Sequence, residues 1–325
     1  MSPIKLTLAD KKILSLMEYN PRITCKELAE YCNLSKDTIK YRINRLEKKK
    51  IILNYITFID YKKLGTQSYK LYLKLNCSLT KKEEFKDYLR NQKNVFAIYE
   101  SNGNWNLAIA IFAKDNFEFQ NIENSILELF GDIISHRRFC IMVEAEMYQQ
   151  NFFDLSEFKI KQFPLWGEIQ EGKLDEKDNK LVKLLHKNSR ESLVNLSKEL
   201  GLSWDAVKNR IDRLANKKIM KVYRTIINYS QLGFDHYKML IFPKKYSNKS
   251  EIEIIEFLKQ SSSCINIIKT IGPWKLEAEF LVKDSNEIDE VIYSLNEKFG
   301  KCIFDLEVSI VRNEELFACK DLLLE

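Results

Sequence analysis

The sequence predicts an α+β fold made of two tandem copies of one two-domain unit, and three observations predict it. The first is an internal repeat: residues 20–65 align without a gap on residues 188–233 at an offset of 168, with 20 of 46 positions identical. Farther on, Gly103-Asn104-Trp105-Asn106-Leu107 matches Gly272-Pro273-Trp274-Lys275-Leu276 at an offset of 169, as Phe130-Gly131 matches Phe299-Gly300, so one residue is inserted between Pro243 and Ser263. A repeat this long is a duplicated multi-element unit, which excludes a solenoid. The second observation is apolar spacing of three and four residues in the first part of each copy. The third is a strand–helix–strand–strand–helix–strand alternation in the rest.

In the first copy, Leu6, Ile13, Leu14 and Met17 have helical spacing, and residues 26–32 read as a second, short helix. After a break at Asn33-Leu34, Ser35 has the chemistry of an N-cap, and Ile39, Ile43 and Leu46 form the buried stripe of a third helix. That is helix–turn–helix spacing. Residues 51–60, rich in β-branched and aromatic side chains, predict a two-stranded wing. The second copy repeats the pattern with Leu181, Val182 and Leu185, then Ser203 as cap, then Val207, Ile211 and Leu214. Its turn holds Gly201, the residue suited to a left-handed backbone.

After each winged helix–turn–helix the pattern changes. Strands are expected at 69–75, 95–99, 105–112 and 136–147, with helices at 81–90 and 117–130. The second copy gives strands at 237–242, 265–271, 274–282 and 302–311 and helices at 251–260 and 287–299. This βαββαβ order is the split βαβ plan of a ferredoxin-like domain. The expected boundaries are therefore 1–65 and 174–233 for the winged domains, 66–148 and 234–312 for the ferredoxin-like domains, 149–173 for a linker and 313–325 for a tail. The linker holds Phe152, Phe153, Phe158, Phe163, Pro164 and Trp166, too many aromatics for a free tether, so it is expected to dock on a domain surface.

The composition is that of a folded protein: 45% hydrophobic, 30% charged, with 9 Gly and 5 Pro leaving little room for disorder. No apolar run approaches a membrane span and the N-terminus lacks a secretory stretch, which predicts an intracellular, cytoplasmic protein with no membrane partner. Seven scattered cysteines without a CxxC pair, and His136, His186 and His236 far apart in sequence, predict reduced core cysteines and no metal. No phosphate-cradling glycine loop, HExxH or GxSxG is present, so no cofactor and no catalytic residue is expected.

Charge distribution says more than its total of +6. Residues 8–65 carry +6, residues 174–233 carry +6, and the remainder carries −6. Two separated basic blocks suit contact with a polyanion. In a helix–turn–helix the third helix enters the major groove of double-stranded DNA, and its exposed N-terminal residues reach base edges. With the apolar stripe inward, the DNA-reading positions are Ser35, Lys36, Asp37, Thr38, Lys40, Tyr41, Asn44 and Arg45, and in the second copy Ser203, Trp204, Asp205, Lys208, Asn209 and Arg213. Asp212 on the second helix repels phosphate, so the first copy is expected to carry more of the affinity.

Each copy resembles the Lrp/AsnC (feast/famine) family of transcription regulators. The second is the closer: Leu174-Asp175-xx-Asp178, Leu200-Gly201-Leu202-Ser203, Arg210-Ile211-xx-Leu214 and Leu232-Gly233. The first keeps Leu6, Asp10, Leu34-Ser35, Arg42-Ile43-xx-Leu46 and Leu64-Gly65. The resemblance implies a DNA-binding regulator whose ferredoxin-like domain pairs with a partner and holds a small effector, often an amino acid. Its effector loop falls on Gly103, Trp105 and Asn106 and on Gly272, Trp274 and Lys275; the family's acidic residue is missing from both, which removes the partner of an α-ammonium group. Lys50 and Lys218 stand where the family has glycine. Family members work as dimers, so the fused copies imply a covalent pseudo-dimer, and the resemblance implies further pairing into a homo-oligomer, a dimer or tetramer of pseudo-dimers. Two alternatives stay open. A branch of similar architecture decarboxylates sirohaem-type tetrapyrroles, for which His136-Arg137-Arg138 is the one cationic cluster; or the helix–turn–helix units serve assembly alone.

Overall fold

The computed structural model describes residues 3–317 apart from 154, 156–160, 171 and 246, so Phe158, Cys319 and the last eight tail residues lie outside the described residues. The first copy runs α1 (Leu8–Glu18), α2 (Cys25–Cys32), α3 (Lys36–Lys48), β1 (Ile52–Ile59), β2 (Gln67–Leu75), α4 (Leu79–Asn91), β3 (Val95–Asn102), β4 (Leu107–Ala113), α5 (Asn116–Phe130) and β5 (Ile134–Gln149). After β6 (Lys161–Trp166) the second copy repeats this order. It runs α6 (Glu176–Lys187), α7 (Leu193–Leu200), α8 (Trp204–Asn216), β7 (Met220–Ile227), β8 (Asp235–Pro243), α9 (Asn248–Lys259), β9 (Cys264–Ile271), β10 (Leu276–Val282), α10 (Ser285–Phe299) and β11 (Ile303–Leu316). The chain sorts by kind into two compact units. One combines Met1–Asp60, Tyr148–Leu165 and Leu174–Phe234; the other combines Tyr61–Met147, Trp166–Lys173 and Asp235–Glu325.

The first unit holds both helix–turn–helix domains. Thr7 and Asp10 form a capping box that starts α1, Thr24 and Glu27 another that starts α2, and Ser35 caps α3 by accepting from the Thr38 amide. The turn before each third helix passes through the left-handed region, at Asn33 (φ 51°) and at Gly201 (φ 60°). Ile39, Ile43 and Leu46 are buried as their spacing predicts. In α8, Val207 and Leu214 are buried while Ile211 is half-buried.

The wing departs from expectation. Each copy contributes a single strand, and β1 pairs antiparallel with β7 of the other copy, Tyr55 opposite Thr225 and Thr57 opposite Tyr223. Equivalent residues repeat the exchange on both sides. The Thr57 hydroxyl donates to the Leu185 carbonyl (2.8 Å) and the Thr225 hydroxyl to that of Met17 (2.6 Å). Arg22 donates to Ser189 O (2.6 Å) and Arg190 to Pro21 O (2.7 Å). Each strand thus finds its ladder partner in the other copy, which removes the need for a local hairpin. The linker aromatics pack as expected: Phe163 stacks on Tyr19 (4.3 Å), and Phe152 meets Tyr229 and Phe234.

The second unit is a ring of eight antiparallel strands, β2-β4-β3-β11-β8-β10-β9-β5, closed by pairing of β5 with β2. Each copy supplies four strands, joined by β3 on β11 and β5 on β9. Strand alternation divides β2 between two environments: Tyr69, Leu71, Leu73 and Leu75 join Phe85, Leu89, Phe119 and Ile126 in the helix-covered core of the first copy, while Lys70 and Tyr72 take the opposite face. Trp105, expected to open a strand, instead precedes β4, and β5 begins two residues before His136. Trp166, at the end of β6, lies edge-on to Phe96 and Phe112. Cys140 and Cys264 are buried, but Cys25, Cys32, Cys77 and Cys302 are only half-buried, so the expectation of core cysteines holds for two of these six free thiols.

Lys50 and Lys218 end their helices at φ 57° and 56°, a backbone region costly to any residue with a Cβ. Replacing either by Gly should raise stability by up to about 1 kcal/mol, read as a higher thermal midpoint; an unchanged or lower midpoint would show that the lysine side chain compensates.

Candidate nucleic-acid interface

α3 and α8 turn their unburied faces outward. On α3, Lys36, Asp37, Lys40, Tyr41 and Asn44 are exposed, Tyr41 by 65%. On α8, Trp204, Asp205, Lys208, Asn209 and Asp212 are exposed, Trp204 by 48%. An aromatic ring on a basic helix with no core to fill is available for a ligand. The Lys208 ammonium lies 5.8 Å from the Trp204 ring centre, a weak cation–π contact. Ser35 and Ser203 are engaged as caps, Ser203 by accepting from the Ala206 amide, and the Thr38 hydroxyl sits 2.9 Å from that of Ser35. These three help to set the helix start.

Arg45 and Arg213, expected among the DNA-binding residues, are each paired with an acid on the first helix of their own domain. Arg45 bonds Asp10 (2.6 Å) and Arg42 bonds the other Asp10 oxygen (3.0 Å) as well as Thr7. In the second copy Arg210 bonds Asp175 and Asp178 (each 2.6 Å), and Arg213 bonds Asp178. Each recognition helix is clamped to the first helix of its own domain by two arginines on buried acid. Burial would raise the Asp10 carboxyl, but hydrogen bonds from Thr7 and Arg42 and the charge of Arg45 outweigh it and hold the group below its ordinary value. A bond from Arg210 likewise lowers Asp175. Asp10 lies 32 and 35 residues from its partners, so no local pattern in the sequence signals the clamp.

The effector-loop residues are structural. Gly103 has φ 145°, and a Cβ there would stand 3.0 Å from Ser309; one on Gly272 would stand 2.9 Å from Cys140. Both loops thus press backbone against the other copy. Trp105 is buried with its indole donating to Glu307 (2.8 Å), and Trp274 is fully buried with its indole donating to Glu277 (3.0 Å). The Asn106 side chain bridges the Leu75 amide and carbonyl, and the Lys275 amide donates to Ile241 O. Of the six, Gly272 alone lines the cleft of ≈ 910 Å³ formed by α5, the start of β5 and the β9–β10 turn. That cleft also holds His136, Arg137 and Arg138, but Arg137 is paired with Glu123 and Arg138 with Glu307 (3.0 Å each). Among the described residues no cluster of three or more His, Cys, Asp or Glu could hold a metal, and no helix is long and apolar enough to cross a membrane.

Two winged domains joined wing to wing, with exposed basic third helices, define a double helix–turn–helix protein of the DNA-binding class. Residues 6–52 match a family model described as winged helix-turn-helix DNA-binding, and residues 174–215 match the AsnC-type helix-turn-helix domain. The chain is 28% identical over 120 residues to the HTH-type transcriptional regulator Ptr1 of Methanocaldococcus jannaschii, covering 37% of this chain and 79% of that protein. It is 24% identical over 121 residues to the regulator FL11 of Pyrococcus furiosus, with the same coverages. In fold it is similar along 96% of its length to the siroheme decarboxylase NirDL, covering 94% of that chain at 12% identity with a TM-score of 0.64. These matches support a regulator that resembles the Lrp/AsnC family, with an AsnC-type helix-turn-helix in its second copy.

A carboxyl held below its unfolded value stabilises fully above ~4, and its contribution is lost as pH falls through the folded value. Asp10→Asn should therefore lower the thermal midpoint at pH 7, and the gap to the parent should close below about pH 4. A gap independent of pH would sink the clamp.

Proposed function

We propose that this DNA-binding regulator is sequence-specific and reads an asymmetric site with two unlike recognition helices carried on one chain. The observation that supports this most is the pair of exposed faces on α3 and α8. Lys40 and Lys208 are equivalent and suit phosphate, whereas Lys36, Tyr41 and Asn44 are replaced by Trp204, Asn209 and Asp212. Two different sets of base-reading groups, held together through β1 and β7, favour two different half-sites. The protein acts as a covalent pseudo-dimer in the cytoplasm and carries out no catalytic step. A small effector would take the cleft beside α5, since the tryptophan loops are sealed.

The test is to recover fragments of genomic DNA bound at physiological salt and sequence them. One asymmetric motif supports unequal half-site readers, an inverted repeat overturns the asymmetry, and no enrichment removes specific binding. With the recovered site in hand, Lys36→Ala/Lys40→Ala should weaken binding about tenfold or more and flatten the log affinity–log salt slope by about 2, against about 1 for Lys208→Ala. Salt-insensitive binding would favour an assembly role.

A second reading, tetrapyrrole decarboxylation, draws on the fold shared with NirDL across both copies. A substrate with several carboxylates needs convergent cations, and both arginines beside His136 already hold carboxylates. A purified protein with tetrapyrrole absorption would promote it.

A further inference from the structure

The faces that the two ferredoxin-like halves turn to each other carry charge that differs position for position between the copies. In the ring interior Lys238 lies opposite Glu279 of its own copy and forms an ion pair with it at 2.8 Å. The equivalent Lys70 lies opposite Ala110, so its own copy supplies no acid there, and it bonds Glu277 of the second copy at 2.7 Å. Both members of that pair are at most 1% exposed. Glu277 and Glu279 stand at the positions of Ala108 and Ala110. The first half thus brings one lysine too many to the interior and the second half one glutamate too many.

The same logic holds at two further places. Arg138 and Glu307 are equivalent positions that face each other across the copies at 3.0 Å. Two first copies would set Arg against Arg there, and two second copies Glu against Glu. At the strand seams Glu144 lies opposite Lys269 (2.8 Å) and Glu100 opposite Asn313. Since Lys269 is the equivalent of Glu100, and Asn313 of Glu144, a seam between two first copies would place Glu100 directly opposite Glu144, a destabilising like pair.

We propose that this face is a pairing code for unlike halves: each ferredoxin-like half accepts the other half of this chain and rejects a second copy of itself. A like pair of first halves buries two uncompensated lysines, and a like pair of second halves two uncompensated glutamates, whereas the unlike pair is neutral. Removing one member of a buried pair leaves a charge that the interior cannot solvate, and that penalty supplies the discrimination. The code is independent of whether DNA is bound, and it also bars the chain from mixing like with like between molecules.

The full chain can be made to mimic the rejected pair. Glu277→Ala/Glu279→Ala gives the interior of two first copies, Lys70 and Lys238 among four alanines. Its thermal midpoint should fall by about 10 °C or more, or the ring should fail to fold. Adding Lys70→Met and Lys238→Met removes the stranded charges while keeping the alanines, and should recover more than half of the loss. A double variant within about 2 °C of the parent would overturn the proposal. So would a quadruple variant no more stable than the double, because the loss would then be packing and not charge. As an independent arm, Arg138→Glu and Glu307→Arg should each lower the midpoint and their combination restore it; a combination as low as the sum of the two would count against the code at that position.

Discussion

A strand at the edge of a sheet presents a row of unpaired N–H and C=O groups, and in this chain those rows are satisfied by crossing from one copy to the other. β1 lies on β7, β3 on β11 and β5 on β9, and the last two seams turn eight strands into a ring closed at β5 and β2. Neither half could close that ring alone. The threonine and arginine bonds of the winged unit obey the same rule, since Thr57, Thr225, Arg22 and Arg190 each donate to a carbonyl of the opposite copy.

Pairing by symmetry leaves the copies free to differ where they do not touch. On the recognition helices the buried stripe and the arginine clamps persist while the outward residues have diverged. Asp10 and Asp178 tie each third helix to its first through paired arginines. Under the proposed reading, affinity rests on the lysines, and choice of sequence on short polar and aromatic groups near the helix start.

Divergence inside the ring has a different physical meaning, because charge buried there has no water to fall back on. Lys70 and Glu277 answer each other across the copies, and the indole of Trp274 and the thiol of Cys140 take the other Glu277 oxygen. Burial would raise Glu277, but Lys70 and Lys238 hold it below its ordinary value, so the cluster stays charged. The tryptophans of the two loops, which the family pattern would give to an effector, serve here to satisfy such acids and to let Gly103 and Gly272 bring backbone close.

Local rules carried much of this in the sequence alone. Caps at Ser35 and Ser203, the left-handed turn at Gly201, the i, i+4, i+7 stripe and strand alternation act within a few residues, so helix–turn–helix and βαββαβ order were legible, as was the duplication. The partner of a wing strand lies some 168 residues away, and nothing in residues 51–60 distinguishes a hairpin from a strand awaiting another copy. Likewise Arg45 has no visible partner in the sequence until the fold sets Asp10 beside it. The sequence by itself determined the elements, their order and the basic face. Which edge meets which, and therefore which charges are spent inside the protein and which remain for a ligand, was decided by tertiary structure, because hydrogen bonding and desolvation act through distance in space and not along the chain.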